Sequence, residues 1–241
     1  MENVIKIKKL TKVYPRNIKA LSQLTLNIQK GIFGLLGPNG SGKTTLMQIL
    51  TGVTRATFGS VQILGYNLKN ELRLIKKNIG YLPEAPGMYQ DMTGVSFLQY
   101  MGKLSGLNKK GANDTAKRFL KEVSLEKWKN MKIKKYSAGM KQRLAFAQSL
   151  LNNPAIIFLD EPTKSLDPLE RQKVLNKIQT IGQEGKTVFL SSHLLIEIEQ
   201  VADCVAIISN GELLFKGITD EIKKQGGLSS LYRKVLMGEK L

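Results

Sequence analysis

An eight-residue glycine-rich segment constrains the fold of this chain more than any other feature. Residues 37–44 read GPNGSGKT and match the phosphate-binding pattern G-x-x-x-x-G-K-[ST]. The apolar run at 31–37 predicts a short buried strand before the segment. Residues 44–50 carry apolar side chains at helical spacing after it. A strand, a tight loop and a helix in this order present backbone N–H groups to an anion, so we expect a phosphate-binding loop.

The side chains of this loop predict how it contacts a nucleotide. Glycine has no Cβ, which lets the backbone approach a phosphate closely. The lysine suits the β- and γ-phosphates, and the hydroxyl that follows it suits Mg²⁺. The expected nucleotide-contacting residues are Gly37, Pro38, Asn39, Gly40, Ser41, Gly42, Lys43, Thr44 and Thr45.

A second motif supplies the carboxylates that a phosphate loop requires. Four apolar residues lead into Asp160 and Glu161, so both acids are expected at the carboxyl end of a buried strand. Asp160 at that edge suits the coordination sphere of Mg²⁺. Glu161 suits the polarisation of a water for attack on the γ-phosphate.

The positive charge of the chain is concentrated in one segment. The formal net charge is +18, and residues 101–143 carry 13 basic and 3 acidic groups. This segment suits nucleic acid, an anionic membrane surface or an acidic partner, and it equally suits a solvated helical surface. The sequence has no apolar run near 20 residues and no signal-peptide core, and its single cysteine, Cys204, is expected to be a small buried residue. We therefore expect a cytoplasmic protein.

The order of apolar runs predicts a mostly parallel sheet covered by helices, because strands alternate with helices in the second half. Residues 93–130 have helical spacing and predict an inserted helical lobe. Residues 168–181 and 194–201 are predicted helices, and 228–236 a further amphipathic one that packs on the core or on a partner. The predicted strands are Val4–Leu10, Leu24–Gln29, Ile32–Leu36, Val61–Leu64, Ala155–Leu159, Thr187–Leu190, Val205–Ile208 and Glu212–Phe215.

Three further motifs surround the Asp160 strand. YSAGMKQRL at 136–144 precedes it, SLDP at 165–168 follows it, and LSSHLL contains His193. With the phosphate loop, this order resembles the ATP-binding-cassette (ABC) ATPases from about Val4 to Gly217. YLPE at 81–84, MKQRL and SSHLLIEIEQVAD resemble the drug- and sodium-exporter branch of that family.

The resemblance implies an α/β fold of the P-loop NTPase, ABC type. Such a fold has a RecA-like, mostly parallel sheet, an N-terminal antiparallel β subdomain and an inserted α-helical subdomain. Residues 1–217 would form the nucleotide-binding domain, with the helical subdomain at about 86–152. Residues 218–241 would form a C-terminal helical tail.

The resemblance also implies roles for individual residues around ATP and Mg²⁺. Lys43 and Glu161 would be catalytic together with His193, which would contact the γ-phosphate. Tyr14 would stack on adenine. The signature residues Ser137 and Gly139 and the crossing-loop residue Asp167 would act on the ATP of a second subunit. By sequence alone, Ser137 equally suits a helix cap.

The metal site is expected to include Thr44, Asp160 and Glu84. Most of the family has glutamine at the last of these positions. A carboxylate there can ligate Mg²⁺ or its water, but it adds negative charge beside the γ-phosphate. The signature also departs from the usual LSGGQ at Ala138 and Met140, while it keeps the serine and one glycine.

We therefore expect an ATP-hydrolysing subunit of an ABC transporter that dimerises around two ATP molecules. The expected partners are a second ATPase subunit, identical or a paralogue, and integral membrane permease subunits. The subunit would lie at the inner face of the cell membrane through the permease, without nucleic acid. The alternative is a soluble ABC ATPase that acts on nucleic acid or ribosomes, which the basic 101–143 segment would suit.

Overall fold

The computed structural model describes residues 3–239, and their strands form two sheets. The strands are β1 Asn3–Tyr14, β2 Ile18–Gln29, β3 Ile32–Leu36, β4 Phe58–Ile63, β5 Tyr66–Asn67, β6 Ile79–Leu82, β7 Ile156–Asp160, β8 Thr187–Ser191, β9 Cys204–Ser209 and β10 Glu212–Ile218. The helices are α1 Lys43–Leu50, α2 Leu72–Asn78, α3 Gly94–Leu104, α4 Lys109–Glu122, α5 Ala138–Ser149, α6 Pro168–Gln183, α7 Leu195–Val201, α8 Thr219–Lys224 and α9 Gly227–Met237. None of these helices is both long and apolar enough to cross a bilayer.

The larger sheet has six strands in the order β10-β9-β3-β8-β7-β6, and only its edge strand β10 is antiparallel. Every residue of β3, β7 and β8 is buried, which explains their continuous apolar runs, because both faces of a parallel sheet are covered. Phe33 of β3 stacks on Phe189 of β8 with ring centroids 5.3 Å apart. The mostly parallel core expected from the sequence is confirmed.

The smaller sheet is antiparallel, in the order β2-β1-β4-β5. Its inner face packs on α1 through a cluster that includes Ile5, Ile7, Leu46 and Met47. β1 and β2 are each twelve residues long and extend well beyond the predicted runs. The added residues 11–14 and 18–23 contain one buried residue each, Thr11 and Leu21, so they lack the apolar pattern that predicts a strand. The short strand β5 and the helix α2 were not predicted.

The inserted helices α3, α4 and α5 lie between β6 and β7. The predicted helical segment 93–130 breaks after Leu104, where Gly106 adopts a φ of +94°, and its last regular helix ends at Glu122. The apolar residues of α3 differ in burial, because Phe97 is 1% exposed whereas Leu104 is 63% exposed.

Two ion pairs join the inserted helices to α6. Arg143 of α5 contacts Glu170 at 3.1 Å and donates to the carbonyl of Val123 at 2.9 Å. Lys177 contacts Glu122 at 2.8 Å. The inserted helices are therefore held against the core at its α6 side.

The C-terminal helix α9 packs on the chain itself. Leu228 is fully buried in the main core, and its N–H donates to Oε1 of Glu199 at 2.7 Å. Cys204 is only half-buried, rather than fully buried as expected. The division into 1–217 and 218–241 stays a prediction, and residues 1, 2, 240 and 241 of those ranges lie outside the described residues.

A prediction concerns the contact between β6 and α5. A Cβ at Gly80 would lie 1.9 Å from the carbonyl oxygen of Ser149, so Gly80→Ala must displace backbone. We expect this variant to lower the free energy of unfolding in urea by about 1–3 kcal/mol. Gly87→Ala is the matched control, because a Cβ there meets no heavy atom within 4 Å. Equal stability of the two variants would contradict the overpacking.

Candidate functional site

A cleft at the carboxyl edge of the larger sheet brings most of the predicted site residues together. The loop 37–42 joins β3 to α1 at this edge, and β7 ends beside it. The residues that line the cleft are Ala20, Asn39, Gly40, Ser41, Gly42, Lys43, Thr44, Thr45, Glu84, Asp160 and Glu161.

The loop can take its path only with glycine at two positions. Gly42 has a φ of +104°, and a Cβ there would lie 2.5 Å from the carbonyl oxygen of Ala20. A Cβ at Gly37 would lie 2.2 Å from the carbonyl oxygen of Ile208. The hydroxyl of Ser41 is buried without a hydrogen-bond partner among residues 3–239. An unsatisfied donor in a glycine loop before a helix N-terminus fits a phosphate oxygen.

Lys43 begins α1 and is almost fully buried. Its ammonium donates to the carbonyl oxygens of Gly37 at 2.7 Å and Pro38 at 3.0 Å. Burial lowers the pKa of Lys43, and the nearby carboxylates of Glu161 and Asp160 partly offset this. An ammonium has three N–H donors, so one remains available to a phosphate.

Asp160 ends β7 and is 1% exposed. Its Oδ1 accepts a hydrogen bond of 2.6 Å from Ser191, its register partner on β8. Burial raises the pKa of Asp160, and the hydroxyls of Ser191 and Thr44 partly offset the shift. Oδ2 is buried without a hydrogen-bond partner among the described residues. A carboxylate oxygen in this state, with a threonine hydroxyl close by, fits a divalent cation with oxygen ligands.

Glu161 is held by three different elements. Its N–H points to the carbonyl and the hydroxyl of Ser191, at 3.3 and 3.2 Å. Its carbonyl accepts from Nε2 of Gln142 on α5 at 3.0 Å, and its Oε2 lies 2.7 Å from Nδ1 of His193. The backbone adopts a φ of +52°, a left-handed conformation that is unfavourable for a residue with a side chain.

A buried carboxylate connects the loops that follow β7 and β8. Oε2 of Glu197 accepts from the hydroxyls of Thr163 at 2.8 Å and Ser192 at 2.7 Å. Oε1 lies 3.3 Å from Nε of Arg171 on α6. Glu197 is 1% exposed, so this contact is buried. It holds the segment that follows Glu161 against the segment that precedes His193.

Seven predicted site residues are not among those that line the cleft. The carbonyl oxygens of Gly37 and Pro38 contact the ammonium of Lys43, and His193 contacts Glu161. The other four are Tyr14, Ser137, Gly139 and Asp167. Tyr14 ends β1, and its ring centroid is 4.8 Å from the ammonium of Lys12. Ser137 caps α5 by accepting from the N–H of Met140 at 3.1 Å, and Asp167 caps α6 in the same way. Gly139 lies close to the loop after β7, because a Cβ there would be 2.9 Å from the carbonyl oxygen of Ser165. The capping interpretation of Ser137 is confirmed, and the roles of the four towards a nucleotide stay predictions.

Sequence reasoning missed several residues that organise the cleft. Ser191 could have been found, because it is the polar residue that directly follows the predicted apolar strand Thr187–Leu190. The pair between Lys164 and Glu84, at 2.7 Å, joins residues 80 positions apart and had no local signal. The contact of Gln142 with the Glu161 carbonyl likewise depends on how α5 packs.

Comparisons with known proteins agree with this geometry. The family model described as ABC transporter matches residues 21–164. The bacitracin transport ATP-binding protein BcrA of Bacillus licheniformis is 39% identical, and the match covers 93% of this chain and 73% of that protein. The daunorubicin resistance ATP-binding protein DrrA3 of Streptomyces coeruleorubidus is 33% identical, with 87% of this chain and 66% of that protein covered.

Solved structures show the same architecture. The ATP-binding subunit of an ABC transporter superimposes with a TM-score of 0.87 at 27% identity, covering 97% of this chain and 99% of that one. The dimeric ATP-binding cassette MJ0796, bound to ADP and Pi in a post-hydrolysis state, superimposes with a TM-score of 0.84 at 27% identity. That match covers 89% of this chain and 98% of the other.

A second prediction tests the buried carboxylate. Glu197→Ala leaves the buried hydroxyls of Thr163 and Ser192 without their acceptor and removes the charge that is paired with Arg171, so we expect the free energy of unfolding to fall by about 3 kcal/mol. Urea denaturation measures the effect. Glu184→Ala removes an exposed carboxylate at the end of α6 and serves as the control. An equally small effect for both variants would show that Glu197 does not hold the two loops.

Proposed function

Because the chain belongs to the ABC transporter family, we propose that the ATP it hydrolyses drives export through separate membrane permease subunits. It is an ATP-binding subunit and an ATPase. One observation carries the proposal: a single cleft combines the phosphate loop with Asp160 and Glu161. The transport of bacitracin by BcrA and the daunorubicin resistance of DrrA3 support the exporter branch.

In the proposed site, the loop amides and Lys43 bind the phosphates of ATP. The N–H of Lys43 that its two carbonyl contacts leave available would donate to a phosphate oxygen. Thr44 and Asp160 would hold Mg²⁺, with Glu84 at the rim of the same cleft. Bound there, Mg²⁺ would neutralise charge on the β- and γ-phosphates. Tyr14 is proposed to stack on adenine beside the loop.

Glu161 is proposed as the general base, and His193 as the residue that orients it. The imidazole holds Oε2 at 2.7 Å and leaves Oε1 free to accept a proton from water. Three hydrogen bonds fix the backbone of Glu161, so its carboxylate is held at the mouth of the cleft and does not turn out into the solvent. A base positioned in this way lowers the cost of aligning the attacking water.

Three residues outside the cleft, Ser137, Gly139 and Asp167, are proposed to act on the ATP of a second subunit. Ser137 and Gly139 stand at the N-terminus of α5, which favours an anion. The Ser137 oxygen accepts the capping hydrogen bond, so its O–H remains able to donate to a γ-phosphate oxygen. Asp167 would couple the two sites across the dimer. The dimeric state of MJ0796 supports this arrangement.

The subunit is proposed to work at the inner face of the cell membrane, bound to its permease. The basic segment 101–143 forms much of the inserted helices and suits contact with anionic head groups or with acidic permease loops. The comparisons give no support to the alternative of an ATPase that acts on nucleic acid or ribosomes.

The general-base assignment predicts the effect of Glu161→Gln. The amide cannot take a proton from water, so we expect ATP turnover to fall by roughly 10²–10⁴-fold. ATP binding should persist and trap a dimer, which size-exclusion chromatography with ATP and Mg²⁺ would detect. Glu126→Gln changes an exposed carboxylate of the inserted lobe and should keep normal turnover. Normal turnover in Glu161→Gln would remove Glu161 from this role.

If Asp160 is a metal ligand, Asp160→Asn should act in opposite directions on the stability of the ligand-free protein and on the stabilisation by Mg²⁺. Burial raises the pKa of Asp160, so its charged form destabilises the ligand-free fold above that pKa, and the cost disappears as the pH falls through it. At about pH 8, the ligand-free variant should therefore be at least as stable as the wild type.

The same variant should lose the stabilisation that Mg²⁺ adds in the presence of ATP. Thermal unfolding with ATP, in Mg²⁺ or in chelator, measures both effects, and Asp114→Asn on the exposed side of α4 is the control. A variant that kept the Mg²⁺-dependent rise in melting temperature would contradict the ligand assignment of Asp160.

A further inference from the structure

An ion pair at the rim of the cleft joins two loops that are distant in sequence. Glu84 follows β6 and lines the cleft, and Lys164 lies in the loop after β7, three residues beyond Glu161. The Lys164 ammonium donates to Oε1 of Glu84 at 2.7 Å. Both side chains are about half exposed. Exposed pairs of this kind contribute little to stability, so the pair needs another explanation.

The charges around the cleft suggest that explanation. Three carboxylates, Glu84, Asp160 and Glu161, line the cleft. Lys43 contributes the positive charge among the lining residues. Lys164 adds a second positive charge and leaves the group with one net negative charge. A neutral amide at position 84 with a neutral residue at position 164 would leave the same net charge. The pair is therefore electrostatically equivalent to an amide facing an uncharged residue.

The charge of Lys164 interacts with the carboxylates of the cleft. Its pKa is raised first by the hydrogen bond and charge of Glu84, and then by Glu161 and Asp160. Glu84 also acts on neighbouring groups. Burial lowers the pKa of Lys43, and the charges of Glu161, Asp160 and Glu84 partly offset this. Burial raises the pKa of Tyr81 to about 12, together with the charges of Asp160 and Glu84. Because Glu84 lines the cleft, a change of charge at position 84 is expected to act on a triphosphate bound there.

We propose that Lys164 is a positioning residue for the ATPase reaction, which holds Glu84 and cancels its charge beside the phosphates. This inference rests on the nucleotide site proposed above. It explains how a carboxylate is accommodated where MgATP, itself an anion, must enter. It also ties the loop after β6 to the segment that leads into Asp167.

The charge explanation makes the two single variants move in opposite directions. Lys164→Met leaves an extra negative charge and should weaken the binding of a fluorescent, non-hydrolysable ATP analogue with Mg²⁺ by about three- to tenfold at low salt. Glu84→Gln removes a negative charge and should tighten binding. The double variant should return to within about twofold of the wild type. A high salt concentration should reduce all these differences in affinity, because the Lys164–Glu84 pair is exposed to solvent.

Matched variants separate charge from structure. Lys164→Arg keeps the charge and should keep the affinity. Lys134→Met removes a lysine of similar exposure that is paired with Asp91 at 2.8 Å outside the cleft, and it should not change binding. Circular dichroism of each variant verifies that it is folded.

Three results would overturn the inference. If both single variants weaken binding and their effects add in the double variant, the residues act through loop geometry and not through charge balance. If Lys164→Met binds as the wild type does at low salt, Lys164 has no role at the site. If the wild-type protein itself fails to bind the analogue, the proposed nucleotide site fails, and the inference fails with it.

Discussion

The parallel pairing of β3, β7 and β8 is the constraint on which the rest of the molecule depends. Parallel strands end at the same edge, so this pairing places the phosphate loop, Asp160 and Ser191 side by side. The register is specific, because Asp160 pairs with Ser191 and their side chains form a 2.6 Å hydrogen bond. A slip of one residue would turn the carboxylate away from that hydroxyl. The positions of the cleft residues thus depend first on the sheet register and only then on the loops.

Glu161 joins three parts of the molecule. Its backbone contacts β8 through Ser191 and the inserted helices through Gln142, and its side chain contacts His193. Glu197 then fixes the loops that carry these groups through Thr163 and Ser192. Gln142 lies in α5 and Ser137 caps the same helix, so a displacement of α5 would act on the carbonyl of Glu161 through the Gln142 hydrogen bond. This connection gives a physical path between the signature segment and the proposed base.

Local chemistry made the core of the site predictable from sequence. Glycine spacing, a lysine and a hydroxyl define the loop without any knowledge of packing, and a buried apolar run that ends in two acids places the carboxylates. The element bounds were less predictable where polar residues alternate in long antiparallel strands, as in β1, and where a short helix such as α2 has few apolar residues. The contacts of Lys164, Gln142 and Glu197 needed the structure, because each joins segments that meet only through tertiary packing.

The left-handed backbone at Glu161 has a consequence for how substitutions at this position are tolerated. A side chain in that conformation costs free energy on the order of 1 kcal/mol, which glycine avoids and asparagine reduces. Folding alone therefore favours replacing the glutamate, whereas the proposed chemistry requires it. Selection for thermal stability in a library of variants would drift towards the smaller residues here and lose turnover as it gained robustness. Stability and activity thus pull in opposite directions at one residue of this enzyme.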